Sequence, residues 1–151
     1  MTLLVLRFLN IFCAGIITGT WVVTQLALIP ARKHFPAESA TKLHHVAERG
    51  IDRFNPLCAA TSLIAGVLIL VLHLSPTRTS ALFTAVGCAG NLGAVLISVL
   101  WNLPINRKIA SWSAGAVPPE YPQIQQRWDR GNLARTGLGL VAFASYVLSA
   151  L

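Results

Sequence analysis

Four side chains in one short stretch have the chemistry for acid–base work or metal binding: His44, His45, Glu48 and Asp52. On a helix His45 and Glu48 stand three residues apart and His44 and Glu48 four. Either spacing puts an imidazole nitrogen and a carboxylate on one face. Such a pair could hold a metal ion through His44 and Glu48, and an imidazole there could act as a general base near neutral pH. Solvated polar side chains at an interface would give the same pattern. Arg135 is the second focus. Its planar guanidinium either snorkels to lipid phosphate or grips an anionic or phenolate oxygen with two hydrogen bonds. His34 and His73 have no carboxylate near them in sequence and read as interfacial.

The elements that must position these groups follow from composition. The chain has 151 residues, 54% hydrophobic and only 11% charged, too apolar for an ordinary soluble domain. Apolar runs at 3–29, 56–74, 81–101 and 134–151 are each long enough to cross a hydrocarbon layer about 30 Å thick, the last one barely. The first outlasts a signal peptide and lacks a small-x-small cleavage site. The second is opened by Asn55-Pro56 and stopped by Ser75-Pro76, and six residues later the third must return beside it as a hairpin. The fold class is therefore all-α, an integral membrane four-helix bundle forming a single transmembrane domain over 1–151.

The net charge of +7 could point to nucleic acid or to anionic membrane. No basic stripe interleaved with aromatics supports nucleic acid. The basic residues lie in loop one (Arg32, Lys33, Lys42, Arg49, Arg53) and in or beside loop three (Arg107, Lys108, Arg127, Arg130, Arg135), with only Arg7 and Arg78 elsewhere. By the positive-inside rule this predicts loops one and three in the cytoplasm and both termini outside, in a multi-pass protein of the cell (inner) membrane. Leu43, Ala47, Ile51 and Phe54 recur at helical spacing, which predicts an amphipathic helix in loop one with its polar side towards water or loop three. Ile105, Ile109 and Trp112 predict a short helix in loop three started by Pro104. Pro118, Pro119 and Pro122 interrupt the chain before a helix-compatible stretch from Gln123.

Within the spans, polar residues need partners because lipid offers none. Asn10, Gln25 and Asn91 are the main cases. Asn91, Ser98 and Asn102 form a stripe on the third helix, and Asn132, Thr136, Gly139, Phe143 and Tyr146 share a face on the fourth. The stripe reads either as interhelical hydrogen bonding or as a cavity lining. Gly15-x-x-x-Gly19, Ala89-x-x-x-Gly93 and Gly90-x-x-x-Ala94 read as close-packing signals. Cys13, Cys58 and Cys88 lie in apolar runs without Cys-x-x-Cys spacing and read as small packing residues.

Asn102-x-Pro104-x-Asn106, Trp112, Arg127-Trp128, Asn132 and Arg135-Thr136, with Asp52-Arg53-x-x-Pro56 as weaker support, resemble the anthrone oxygenase-like family, small four-helix membrane proteins. The resemblance runs over nearly the whole chain. It departs where family members often carry a histidine at or beside Asn132-Leu133. It implies oxygenation of a flat polyketide-like aromatic, an anthrone becoming an anthraquinone with dioxygen. In that reading His44 or His45 removes a proton from a hydroxyaromatic, Arg135 with Asn106 and Asn132 holds the oxyanion, and Trp112 or Trp128 stacks on the ring, with Asn102 beside the substrate. The reaction would run without a cofactor beyond dioxygen, or with a metal held by His44 and Glu48. The partners it implies are the lipid bilayer and a small lipophilic or aromatic substrate, with a homo-oligomer possible. The competing reading is a non-enzymatic module that binds a lipophilic small molecule or serves as a subunit of a larger complex; a transporter ranks last.

Overall fold

A computed structural model describes residues 1–51, 54–112 and 117–151, with the side chains of 48, 49 and 51 also outside the description. The helices are α1 (Thr2–Val23), α2 (Ile29–Arg32), α3 (Ala37–Ile51), α4 (Phe54–Val71), α5 (Arg78–Ile97), α6 (Leu103–Ala110) and α7 (Tyr121–Ala150). Among the described residues there is no strand. Four helical runs, Thr2–Arg32, Phe54–Val71, Arg78–Ala110 and Tyr121–Ala150, are long and apolar enough to cross a membrane. They form the membrane four-helix bundle: α1 packs on α4 and α7, and α5 packs on α4 and α7.

Three of these runs are longer than the apolar stretches alone indicate, and the prolines explain how. Pro30 and Pro104 each lack the N–H of an internal helical residue and crowd the carbonyl four residues back. Neither ends its helix. Ahead of each lies one π-helical turn, Thr24–Leu28 and Ser98–Asn102, in which the Ile29 and Leu103 amides bond the Thr24 and Ser98 carbonyls five residues back. The expected short helix of loop three is α6, with Pro104 in its first turn; because Asn102 and Leu103 keep helical dihedrals, it is continuous with the third run. Pro122 likewise sits in the first turn of α7 rather than before it. The second run stops earlier than Ser75-Pro76, at Val71, and turns through His73, whose φ of 51° is left-handed. Thr77 then caps α5 by accepting from the Ser80 amide at 3.0 Å.

One end of the bundle, the hairpin end, carries the α4–α5 connection and both termini. There Arg7 Nη2 donates to Ser80 Oγ (3.1 Å) and to the Ser149 carbonyl (2.9 Å), and Ser80 Oγ donates to the same carbonyl at 2.6 Å. Nearby, Tyr146 is fully buried over Gly66 and Gly87; a Cβ at Gly87 would overlap the phenol ring. Asn10 and Ser62 tie α1 to α4 through reciprocal side-chain to carbonyl bonds of 2.7 and 3.0 Å. The predicted small-residue signals are partly used. Gly90 and Gly93 meet Leu138 and Gly15 meets Phe143, but nothing packs against Gly19.

At the opposite, loop end, α3 packs against α6 and α4, so loops one and three meet. The face α3 buries is Ala40, Thr41 and His44. Its apolar repeat fares differently: Leu43 and Ala47 are only half-buried, Phe54 is exposed, and Ile51 lies outside the described side chains. The polar side is thus the one turned to loop three. The three cysteines are buried and free, packing as small apolar groups.

Candidate functional site

Trp128 is the centre of the loop end. It has no exposed surface, and its indole Nε1 donates to Asn106 Oδ1 at 2.6 Å. Two guanidiniums lie over its ring at 5.5 Å, those of Arg32 and Arg135, and the His44 imidazole meets it edge-on at 5.1 Å. An indole face attracts each cation by about 0.5–2 kcal/mol, the more so when water is excluded. Arg32, itself buried, is neutralised by an ion pair with Asp129 on α7.

Arg135 is held in place from three directions. Its Nε and Nη2 both donate to Asn132 Oδ1, at 3.0 and 2.9 Å. The amide of Asn132, fully buried, donates in turn to Gln25 Oε1 at 2.8 Å, a residue of the first π-turn. The guanidinium also lies 5.6 Å from the Trp21 ring. Trp21 reaches this position because Gly139 has no side chain: a Cβ there would stand 2.8 Å from the indole. The second π-turn clamps α7 from the other side, where Trp101 Nε1 donates to the Arg127 carbonyl (3.0 Å) and Asn102 Nδ2 to the Trp128 carbonyl (3.2 Å). Gly131 makes that approach possible, since a Cβ would lie 2.5 Å from Asn102 Oδ1.

Beside this cluster is a cavity of about 320 Å³ between α1, α4 and α5. Its walls are apolar along most of their length, with Ile17, Ala59, Leu63 and Val95. Its loop end is polar, closed by Asn55, Asn102, Asn106 and Arg135, with Trp21 alongside. An apolar chamber with a few convergent polar groups at one end is the usual form of a small-molecule site, and its volume is at the lower limit of the range of about 300–1,000 Å³ such sites occupy.

Of the residues singled out from the sequence, the structure brings together Asn102, Asn106, Trp128, Asn132, Arg135 and His44. His44 is buried and hydrogen-bonded to Asn106; its Nε2 has no hydrogen-bond partner among the described residues. Burial, and then the Arg32 charge, push its imidazole down to about 4, so the ring is neutral at pH 7 rather than poised there. His45 is used differently: its Nε2 lies 3.0 Å from the Ile109 carbonyl and donates to it, fastening α3 to α6. Trp112 meets Tyr121 at 6.0 Å and does not line the cavity. The Glu48 side chain, half of the suggested metal pair, and Asp52 lie outside the described residues. Among the described residues no three His, Cys, Asp or Glu side chains gather as a metal site needs.

Sequence reasoning did not single out Trp21, Gln25, Arg32 or Asp129 for the site. Gln25 was legible only as a polar residue needing a partner, and Arg32 only as one positive charge among several in loop one.

The profile of the family described as anthrone oxygenase matches residues 43–145, spanning α3 to the last turns of α7. No curated protein and no solved structure matches the chain. The match covers more than half of the chain, which belongs to the anthrone oxygenase family.

Proposed function

We propose that this protein is a membrane-bound oxygenase of flat, lipophilic hydroxyaromatics, and that the cavity ending at Arg135 and Asn106 is its active site. The observation that carries this reading is the cavity's polarity: apolar walls along its length and a fixed guanidinium with three asparagines at one end. A tricyclic aromatic in its hydroxyl form would lie along the chamber with its oxygen at Arg135.

The chemistry follows from where charge develops. The hydroxyl proton passes towards His44, which does not itself line the cavity but is hydrogen-bonded to the lining residue Asn106, and the oxyanion is held by Arg135 and Asn106, whose geometry is set before substrate arrives. The unliganded imidazole is a weak base chiefly because it is buried, then because Arg32 and, least of all, Arg135 repel its protonated form. A bound oxyanion offsets that repulsion and raises the basicity of His44 at the moment it is needed. The electron pair released by deprotonation is delocalised to the ring carbon opposite the oxygen, which lies in the apolar part of the chamber, where dioxygen dissolves well. That carbon bonds to dioxygen, and the peroxide takes the proton back from His44. Loss of water across the new C–O–O–H and its C–H bond leaves a second carbonyl. One dioxygen is consumed, one water released, and the hydroxyaromatic becomes a quinone.

We further propose that the loop end faces the cytoplasm, since the basic residues cluster there. Oxygen uptake by the purified protein with an anthrone tests the function. Stoichiometric uptake with quinone formation, lost in Arg135→Gln, is the expected result; no uptake beyond the spontaneous rate would remove the proposal. Labelling of single cysteines placed at Lys42 and Arg78 with a membrane-impermeant reagent tests the orientation: on intact cells Arg78→Cys reacts and Lys42→Cys does not.

A further inference from the structure

We infer that the cavity is loaded sideways from the bilayer, through the gap between α4 and α5, by a substrate dissolved in the lipid. This rests on the proposed active site and specifies how that site is reached. The lining residues of the first run form the cavity's floor: Ile17 and Trp21 on α1 and Thr24 on the first π-turn are buried, and Thr20 is half-buried. The lining residues that are exposed are Pro56 and Ala60 on α4 and Val99 on the π-turn after α5. Val99 keeps half its surface exposed. All three belong to runs long and apolar enough to cross a membrane. An exposed face of such a run at this level meets hydrocarbon, so the open side of the chamber faces lipid.

The geometry of the hairpin explains the gap. The short connection from Leu72 to Thr77 holds α4 and α5 together at the hairpin end, and Asn91 still reaches the Ala59 carbonyl at 3.5 Å midway. Beyond that level the π-turn at Ser98–Asn102 and the bonds from Trp101 and Asn102 draw the third run towards α7 and away from α4. On the facing side α4 presents Pro56, Ala59 and Ala60, whose side chains are too small to close the space. A planar ring system fits such a slot edge-first. Its oxygen-bearing edge is drawn to Arg135 because that end holds the cavity's only charged lining residue among those described. A strongly charged compound would gain nothing from this route, whereas a flat, neutral lipophile concentrates in the bilayer beforehand.

The test uses the full-length protein in lipid nanodiscs and a membrane-dissolved hydroxyanthraquinone, with loading followed by quenching of tryptophan emission and turnover by oxygen uptake with an anthrone. Ala60→Trp and Val99→Trp put bulk at the mouth on surfaces already facing lipid; Leu140→Trp adds the same bulk on the exposed face of α7. A mouth residue slows entry and exit together. Association and release are expected to fall at least tenfold in the two mouth variants, with Kd within about threefold and Leu140→Trp unchanged. Association at the wild-type rate in both mouth variants overturns the inference, as does a weaker Kd with unchanged association. Where tryptophan abolishes binding outright, Val99→Ala decides: faster association supports the portal and an unchanged rate rejects it. Wild-type protein that binds but does not turn over an anthrone would instead count against the oxygenase reading and leave the loading result to stand alone.

Discussion

At the hairpin end Arg7 gives one Nη2 to a serine hydroxyl and a C-terminal carbonyl, and Tyr146 fills the space left by two glycines. At the loop end Arg135 is braced by Asn132 and two indoles, yet lines a chamber of about 320 Å³. Both ends hold a half-buried arginine, Arg7 bonded to α5 and α7 and Arg135 bonded to Asn132 of its own helix. The first uses its polar atoms to close the bundle; the second arranges them around space. The difference teaches that a charged residue within a membrane bundle is read by what lies next to it, cavity or packed side chain, and not by its charge alone.

The comparison is broken most directly by exchanging the two arginines' fates. Arg135→Gln is expected to lower kcat/KM for an anthrone by about 10²–10³, the usual loss on removing one preorganised oxyanion donor, with a proportionally smaller fall in melting temperature from its lost contacts to Asn132 and the two indoles. Arg7→Gln should do the reverse, lowering the melting temperature in detergent while the activity per folded molecule holds. Equal effects on both readouts in both variants would erase the distinction.

A second difference lies in pH. His44, held near 4, binds fewer protons in the folded state than in the unfolded chain, where an imidazole titrates near 6.5. The stability this contributes is fully present above 6.5 and is lost as pH falls towards 4, roughly 3 kcal/mol over that window. Thermal unfolding from pH 7 to 4 should show this decline, and His44→Gln should flatten it. The kcat/KM profile of the free enzyme should lack an acidic limb near 6.5 and bend only near 4.

Smaller effects sharpen the contrast. Gly87→Ala forces a Cβ into Tyr146 and should destabilise the hairpin end by about 1–3 kcal/mol without touching KM. Gly139→Ala, which pushes on Trp21, should raise KM at a similar or smaller cost in stability. Ser62→Ala removes one interhelical bond to the Asn10 carbonyl and should cost about 0.6 kcal/mol by denaturation in mixed micelles.

Much of the loop end was legible because its residues are unusual for their setting. Asparagines at 102, 106 and 132 and Arg135 are conspicuous in or beside apolar helices, and their spacing alone puts them at one end of two neighbouring spans. The contributions of α1 were not legible. Trp21 and Gln25 sit in a long apolar run whose facing cannot be read from periodicity when nearly every position is apolar, and the π-turn shifts the facing again. The small-residue motif misled at Gly19, which packs against nothing, while Gly87, Gly131 and Gly139, outside any such motif, make closer approaches than the glycines within one. That an indole lies above a glycine is a tertiary fact with no local signature. Pro104 does stand in the first turn of a short helix, but that this helix runs on from the third span without a break was not legible.

The paired π-turns have a consequence for how such a site is gained or lost. Each amounts to one extra residue threaded into a helix, so everything beyond it is rotated by about 100° relative to an uninterrupted spiral. Deleting a single codon from 24–28 or 98–102 would leave the hairpin half of the bundle in register while swinging Arg32, or Asn106 and its neighbours, out of their alignment. Insertions and deletions of one residue, usually ruinous in a packed span, are here the natural unit by which a lineage could switch the chamber between chemistry and inert filling.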